Sequence, residues 1–275
     1  ITTFRKEIKY ENNRFPVKIK YIDTLVDDLE RRDFTINTIC IDNKGNFIDL
    51  LNAKRDLDNK IIKCVGNADI KIKEDILRSL RAIRFATILD FKLDDELKKA
   101  IKKNGYLLKN LSYFRKKDEL EKIFSSPNCA YGLSLIKELD LVEKLDFSNF
   151  DNLVVTTSSL GIWAQLDVLD IYSFSNNEKQ IIKDIKETLN QDILDNKVLY
   201  KYGLYVCTLA GEIKGIKRID IVEKYNKLPI YSIKDINIKA IDICNLLNKK
   251  QGPFINEIYK DLENKILENK IINEK

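Results

Sequence analysis

The 275-residue chain contains no histidine and no methionine. Without imidazole it cannot supply a Ser-His-Asp or Cys-His hydrolytic unit or a histidine general base. Carboxylate, lysine, tyrosine or metal chemistry remains. Without methionine, Ile1 is not a translation start, and part of the functional protein is expected to precede it. Glycine and proline are scarce, at 9 and 4, while 44% of residues are hydrophobic and 33% charged. That balance reads as a soluble, globular and mostly helical protein. No apolar run approaches the roughly 20 residues a membrane-crossing helix needs. The polar opening Ile1-Thr-Thr-Phe-Arg5 is not a signal peptide, and a cytoplasmic location is expected. Cys40, Cys64, Cys129, Cys207 and Cys244 are scattered, with no C-x-x-C pair. Free thiols in a reducing compartment are expected rather than a zinc site.

The net charge is +5. Between Asp69 and Ser125 there are 15 Lys and Arg against 10 Asp and Glu, so this one stretch carries the whole formal excess. A localised positive segment suits a polyanionic partner, although a lysine-rich solvated surface would read the same way.

Thr2–Arg5, Val17–Ile22, Phe34–Ile41 and Lys60–Val65 alternate apolar and polar residues or are β-branched, and predict strands. Asn43–Asn46 predicts a turn, and Thr24–Arg31 a short helix. After Gly66 the period becomes helical over Lys73–Leu89, Asp94–Lys103, Lys116–Phe124 and Asn128–Leu139. Further helices are predicted to the end, with breaks near Thr156–Ser159, Ser173–Asn177, Leu228–Pro229 and Gln251–Pro253.

The segment Glu74-Asp-Ile-Leu-Arg-Ser-Leu-Arg-Ala-Ile-Arg-Phe85 is the most informative. On an ideal helix with Arg78 at zero, Asp75 falls at about +60°, Arg81 at about −60° and Arg84 at about −120°. Ile76, Leu80 and Ile83 occupy the opposite face. One acid and three guanidiniums thus share a stripe, in a chain with 38 Lys and only 10 Arg. An ordinary amphipathic surface helix is the alternative reading. The arginine fork, however, suits phosphates and base edges in a way lysine does not. A carboxylate accepts and a guanidinium only donates. Together they could meet the amine and acceptor on the pairing edges of cytosine and adenine, whereas uracil and guanine place a carbonyl where the amine would be. A second constellation, Arg31-Arg-Asp-Phe-Thr-Ile-Asn37, could hold a triphosphate, or could be a loop ion pair beside an edge strand.

In order and spacing, these two stretches resemble the bacterial (class II) tRNA nucleotidyltransferases, or CCA-adding enzymes, and their relatives the bacterial poly(A) polymerases. Several other segments agree: Thr2-Thr-Phe-Arg5, Asp42-x-x-Gly45-x-x-Ile48-Asp49, Val65-Gly66, Ser112-x-x-Arg115-x-x-x-Glu119-Leu120 and Gly252-Pro-Phe-Ile255. Arg14-Phe15-Pro16 departs from a common Arg-His-Pro. The resemblance implies an α+β fold, with an N-terminally incomplete nucleotidyltransferase β-sheet head (1–66) followed by an all-α neck (67–126), body (127–200) and tail (201–275). It implies nucleotide binding by Arg32, Asp75, Arg78, Arg81 and Arg84, supported by Arg31, Asp33, Asn37, Glu74, Arg115 and Glu119. The catalytic Asp-x-Asp pair and its Mg2+ are expected upstream of Ile1, with no metal ligand in this chain, which alone should bind nucleotide poorly and catalyse nothing. The implied function is template-independent addition of C and A from CTP and ATP to the 3′ end of tRNA, with no membrane or protein partner. Poly(A) polymerase, partial CC- or A-adding activity and a non-catalytic RNA-binding module are the alternatives.

Overall fold

The computed structural model describes residues 24–274 in full and the backbone of 5–11 and 15–21. The architecture is α+β and dominated by helix, as expected. Strands β1 (Arg5–Glu11) and β2 (Phe15–Tyr21) pair antiparallel. The strand expected over Thr2–Arg5 lies, except for Arg5, outside the described residues. Helix α1 (Leu25–Glu30) falls where the sequence places it.

The strand expected over Phe34–Ile41 is a correction. Thr35–Asn37 forms a 3-10 turn, and only β3 (Cys40–Ile41) is extended, paired with β4 (Phe47–Ile48). Polar side chains bend this backbone: Thr38 Oγ1 donates to Thr35 O at 2.6 Å, and Asn37 Nδ2 to Asp33 Oδ1 at 2.9 Å. Such local bonds compete with a ladder. Helix α2 (Ala53–Asp58), which periodicity does not announce, follows. The strand expected over Lys60–Val65 shrinks to β5 (Ile61–Ile62).

Helices α3 (Ala68–Glu74) and α4 (Leu77–Leu89) replace the single helix expected from Lys73 to Leu89. Asp75 is extended, with φ −145° and ψ 104°, and its Oδ1 accepts from the Leu77 N–H at 3.0 Å. The acid ends one helix and caps the next, so angles counted along one straight helix do not hold across it. The buried apolar row Ile72, Ile76, Leu80 and Ile83 nevertheless runs unbroken through the kink. Strand β6 (Lys92–Leu93) then pairs with β5 in parallel. Helices α5 (Asp95–Asn104), α6 (Tyr113–Phe124) and α7 (Cys129–Glu138) follow.

Helix α4 is the spine of this region, with α6 and α7 packed on it. At Gly132 of α7, an added Cβ would lie 2.6 Å from Thr87 Oγ1 of α4 and 2.5 Å from Ile123 of α6. Only a residue without a side chain permits that approach.

The remaining helices are α8 (Ser159–Gln165), α9 (Asn176–Leu189), α10 (Asn196–Lys214), α11 (Arg218–Asn226), α12 (Ala240–Leu247) and α13 (Phe254–Leu267). The chain forms two compact units: residues 1–155 with 165–173, and 156–164 with 174–275. In the second, α10 packs against α9 and α11. Gly203, at φ 74° and ψ 170°, divides α10 into two helical pieces, a conformation open to glycine. Ile230, Ile236, Ile266 and Leu267 form a small core there. Among the described residues, no helix is long and apolar enough to cross a membrane, and the five cysteines are free thiols.

Candidate nucleotide-binding site

The arginine pair 31–32 is fixed by a residue the sequence reading passed over. Asp28 is buried on α1, and its carboxylate accepts from Arg31 Nε at 2.9 Å and Nη2 at 2.6 Å. It also accepts from Arg32 Nη2 at 3.3 Å. Asp28 lies three and four residues before the two arginines, the spacing at which helical side chains meet; that spacing was the available signal. Arg32 Nη1 also donates to Asn37 O at 2.5 Å. The Arg31 and Arg32 side chains remain 25% and 34% exposed, so both forks can still meet a ligand.

Asp33 joins this loop to α4. Its Oδ2 receives Arg81 Nε at 2.7 Å and Nη2 at 2.6 Å, while its Oδ1 accepts from Asn37. Burial would raise the Asp33 pKa, but Arg81, Asn37 and the Phe34 N–H together outweigh it and hold the carboxyl below 3.8. A carboxyl depressed in the folded state contributes stability above its unfolded pKa, and this is lost as pH falls through the folded value. Asp33→Asn is therefore expected to cost about 1–2 kcal/mol at pH 7. The difference from wild type should shrink as pH falls below 3.8, as urea midpoints at pH 7 and pH 3 would report. A difference that does not change with pH would contradict this.

Helix α6 presents Arg115 and Glu119 one turn apart toward the α3–α4 segment. Arg115 Nη2 donates to Asp75 Oδ2 at 3.1 Å. Glu119 is buried, with Oε2 3.2 Å from Arg84 Nε and Oε1 4.0 Å from Arg81 Nη1. The Arg84 contact is an ion pair without hydrogen-bond geometry, since neither atom has a hydrogen-bond partner. Burial raises the Glu119 pKa, although Arg84, Arg81 and Lys122 pull it back. The Arg84 guanidinium lies 4.4 Å from the Phe85 ring centroid. Phe85 in turn meets the buried Phe34 edge-on at 5.8 Å. Arg32, Asp33, Asn37, Arg81, Arg84 and Glu119 thus form one connected polar network.

Asp75 and Arg78 flank the α3–α4 turn. Arg78 is buried, and its Nη1 donates to Glu74 Oε2 at 2.8 Å and Lys71 O at 2.7 Å. Arg115 Nη1 is buried beside Asp75 without a hydrogen-bond partner. Clefts lie elsewhere in the first unit, two of them among the described residues. One of about 390 Å³ is lined by Asn67, Asp69, Glu96, Lys99 and Lys103, and one of about 290 Å³ by Thr35, Asn52, Arg55, Asp56 and Lys63. Neither is lined by Asp75 or Arg78. Among the described residues, no three His, Cys, Asp or Glu side chains gather as a metal site.

Comparisons with known proteins define the class first. Residues 1–63 match the poly A polymerase head domain. Residues 90–146 match a probable RNA and SrmB-binding site of polymerase A, and 155–275 a putative tRNA nucleotidyltransferase domain 2. The CCA-adding enzyme of Ligilactobacillus salivarius is 31% identical over the whole chain and 76% of its own length. That of Bacillus cereus is 29% identical over the whole chain and 77% of its length. The Bacillus stearothermophilus CCA-adding enzyme in complex with CTP superposes on 99% of this chain and 75% of its own, with a TM-score of 0.78 and 24% identity. The Thermotoga maritima enzyme complexed with tRNA covers 92% and 71%, with a TM-score of 0.63 and 23% identity. These define a nucleotidyltransferase of the poly(A) polymerase and tRNA nucleotidyltransferase group. The chain belongs to the family of CCA-adding enzymes.

Proposed function

We propose that this protein adds C and A from CTP and ATP to the 3′ end of tRNA without a nucleic-acid template, and that the segment 67–126 selects the nucleotide. The observation that carries the selection is the turn between α3 and α4. It sets a carboxylate, Asp75, and a guanidinium, Arg78, on either side of one kink. Asp75 is held by Arg115, whose second terminal nitrogen is buried and unpaired. A carboxylate has about four lone-pair directions, and Leu77 N–H and Arg115 take two, so Asp75 can still accept from a base amine. Arg78 donates to the neighbouring ring acceptor, and with cytosine the O2 carbonyl satisfies the orphaned Arg115 nitrogen, removing its desolvation cost. Cytosine and adenine offer the amine; uracil and guanine set a carbonyl against Asp75.

The partly exposed forks of Arg31, Arg32 and Arg81 bind the triphosphate, with Asp33 holding Arg81 and Glu119 facing both Arg81 and Arg84. Asp33, Asn37 and Glu74 position these arginines. The transfer would use Mg2+, and among the described residues no three His, Cys, Asp or Glu side chains gather to hold it. The 67–126 neck, 127–200 body and 201–275 tail would track tRNA by backbone charge and shape, in the cytoplasm. Poly(A) polymerase is the second reading, favoured by the description that residues 1–63 match.

The test gives the full-length protein a tRNA lacking its CCA end with all four nucleotides. Addition of C, C and then A is expected. A run of A would favour the second reading, and tRNA binding without incorporation would make the chain an RNA-binding module.

A further inference from the structure

The two halves of the proposed site, triphosphate and base, are joined by one residue assigned to neither. Lys71 lies midway along α3. Its Nζ donates to Glu30 O, at the C-terminus of α1, over 2.8 Å. Its own carbonyl accepts from Arg78 Nη1 at 2.7 Å. Both ends of one residue are therefore engaged, one with the head helix and one with the base-reading arginine.

Helix α1 is also the element that places the triphosphate arginines. Asp28, one turn back from the chain leaving α1, grips Arg31 and Arg32 through three contacts. A ligand that draws those guanidiniums toward a triphosphate pulls on Asp28 and so on α1. The ammonium at the helix C-terminus is a favourable charge-dipole contact, made stronger because Lys71 is half-buried. Helix α3 is a single hydrogen-bonded unit of seven residues, Ala68–Glu74. A shift at Lys71 moves its carbonyl, and with it the seat of Arg78. Glu74, which also accepts from Arg78 Nη1, sits at the end of the same short helix.

We propose that Lys71 is a positioning residue that couples occupation of the triphosphate-binding arginines to the setting of Arg78 for base selection. The inference rests on the reading of Arg78 given above. It goes beyond that reading in making selection depend on the phosphates: the base is discriminated more sharply on a triphosphate than on a monophosphate.

The test measures dissociation constants of CTP, UTP, CMP and UMP for the full-length protein, Lys71→Met, Lys71→Arg and Arg78→Ala. In the wild type, the UTP-to-CTP ratio should exceed the UMP-to-CMP ratio by about fivefold or more, the scale of a typical coupling between sites. Lys71→Met keeps the aliphatic stem but loses the donor, and should bring the triphosphate ratio down to the monophosphate one. Lys71→Arg, which keeps a donor, should restore much of the difference. A purely structural role would weaken all four ligands alike. Equal ratios in the wild type, an unchanged triphosphate ratio in Lys71→Met, or a Lys71→Met protein that does not fold would each overturn the coupling. If Arg78→Ala leaves every ratio unchanged, the base-reading role of Arg78 fails, and the coupling fails with it. If Arg78→Ala abolishes discrimination while Lys71→Met does not, only the coupling fails.

Discussion

Replacing Asp75 and Arg78 together by alanine is expected to abolish the choice among nucleotides in the full-length protein. Preference for CTP over UTP should fall roughly 5- to 150-fold, since a well-formed bidentate base contact contributes about 1–3 kcal/mol of discrimination. The loss should appear in relative incorporation rates more than in the affinity for tRNA, because neither side chain belongs to the phosphate-binding loop. Single variants should differ. Arg78→Ala also frees Glu74 and the Lys71 carbonyl, so the α3–α4 turn loosens. Asp75→Ala removes both the cap on Leu77 N–H and the partner of Arg115. Asp75→Asn is milder: its amide can donate to the uracil carbonyl, so UTP incorporation should rise while CTP incorporation persists. Unchanged discrimination in the double variant would rule out the template role.

The second large effect is on stability. Glu119 is buried between Arg84 and Arg81, with Lys122 Nζ also 4.0 Å away. Glu119→Ala leaves Arg84, whose side chain is 13% exposed, without a counter-charge. Breaking one side of a buried ion pair costs about 3 kcal/mol or more, and in a unit of this size 1 kcal/mol moves Tm by about 2–4 °C. A fall in Tm of roughly 6–12 °C is therefore expected. Glu119→Gln keeps shape and a hydrogen-bond acceptor and should fall between wild type and alanine. If alanine melts like wild type, Glu119 is not holding α6 to α4.

Much of this was legible in the sequence, for identifiable reasons. Helix α1, helices α4 to α7 and the breaks ahead of α9 and α13 follow from periodicity and capping residues. The fold class and the cluster of Arg32, Asp33, Asn37, Arg81 and Arg84 with Glu119 also follow, because motif order carries them. The kink at Asp75 was not legible. Ile72, Ile76, Leu80 and Ile83 keep helical spacing straight through it, so the apolar stripe looks the same for one helix or two. The Asp75 carboxylate accepts from Leu77 N–H where the first helix ends, and an Asp in a helical stretch does not announce that choice. The strands between Phe34 and Val65 were overextended for a related reason. Thr35 and Thr38 are β-branched and suit a strand by composition, yet the side chains of Asn37 and Thr38 bond locally and the chain folds into a 3-10 turn. The partners of the site residues were hidden for another reason. Arg115 to Asp75 spans 40 positions and Arg81 to Asp33 spans 48, and no local pattern encodes such pairings.

The kink changes the geometry with which the proposed pair would read a base. Asp75 does not share a helical face with Arg78. It stands ahead of the helix that bears Arg78, and Arg115 fixes its direction. The proposed selection by this pair would therefore depend on Arg115 of α6 as well as on α4.

The most direct measurement is a structure of the full-length protein with CTP bound. The account predicts the cytosine amine within hydrogen-bond distance of the Asp75 carboxylate, Arg78 donating to the adjacent ring acceptor, and the triphosphate on Arg31, Arg32 and Arg81. A cytosine bound with its pairing edge away from the α3–α4 turn, and Asp75 and Arg78 still closed on Arg115 and Glu74, would contradict it.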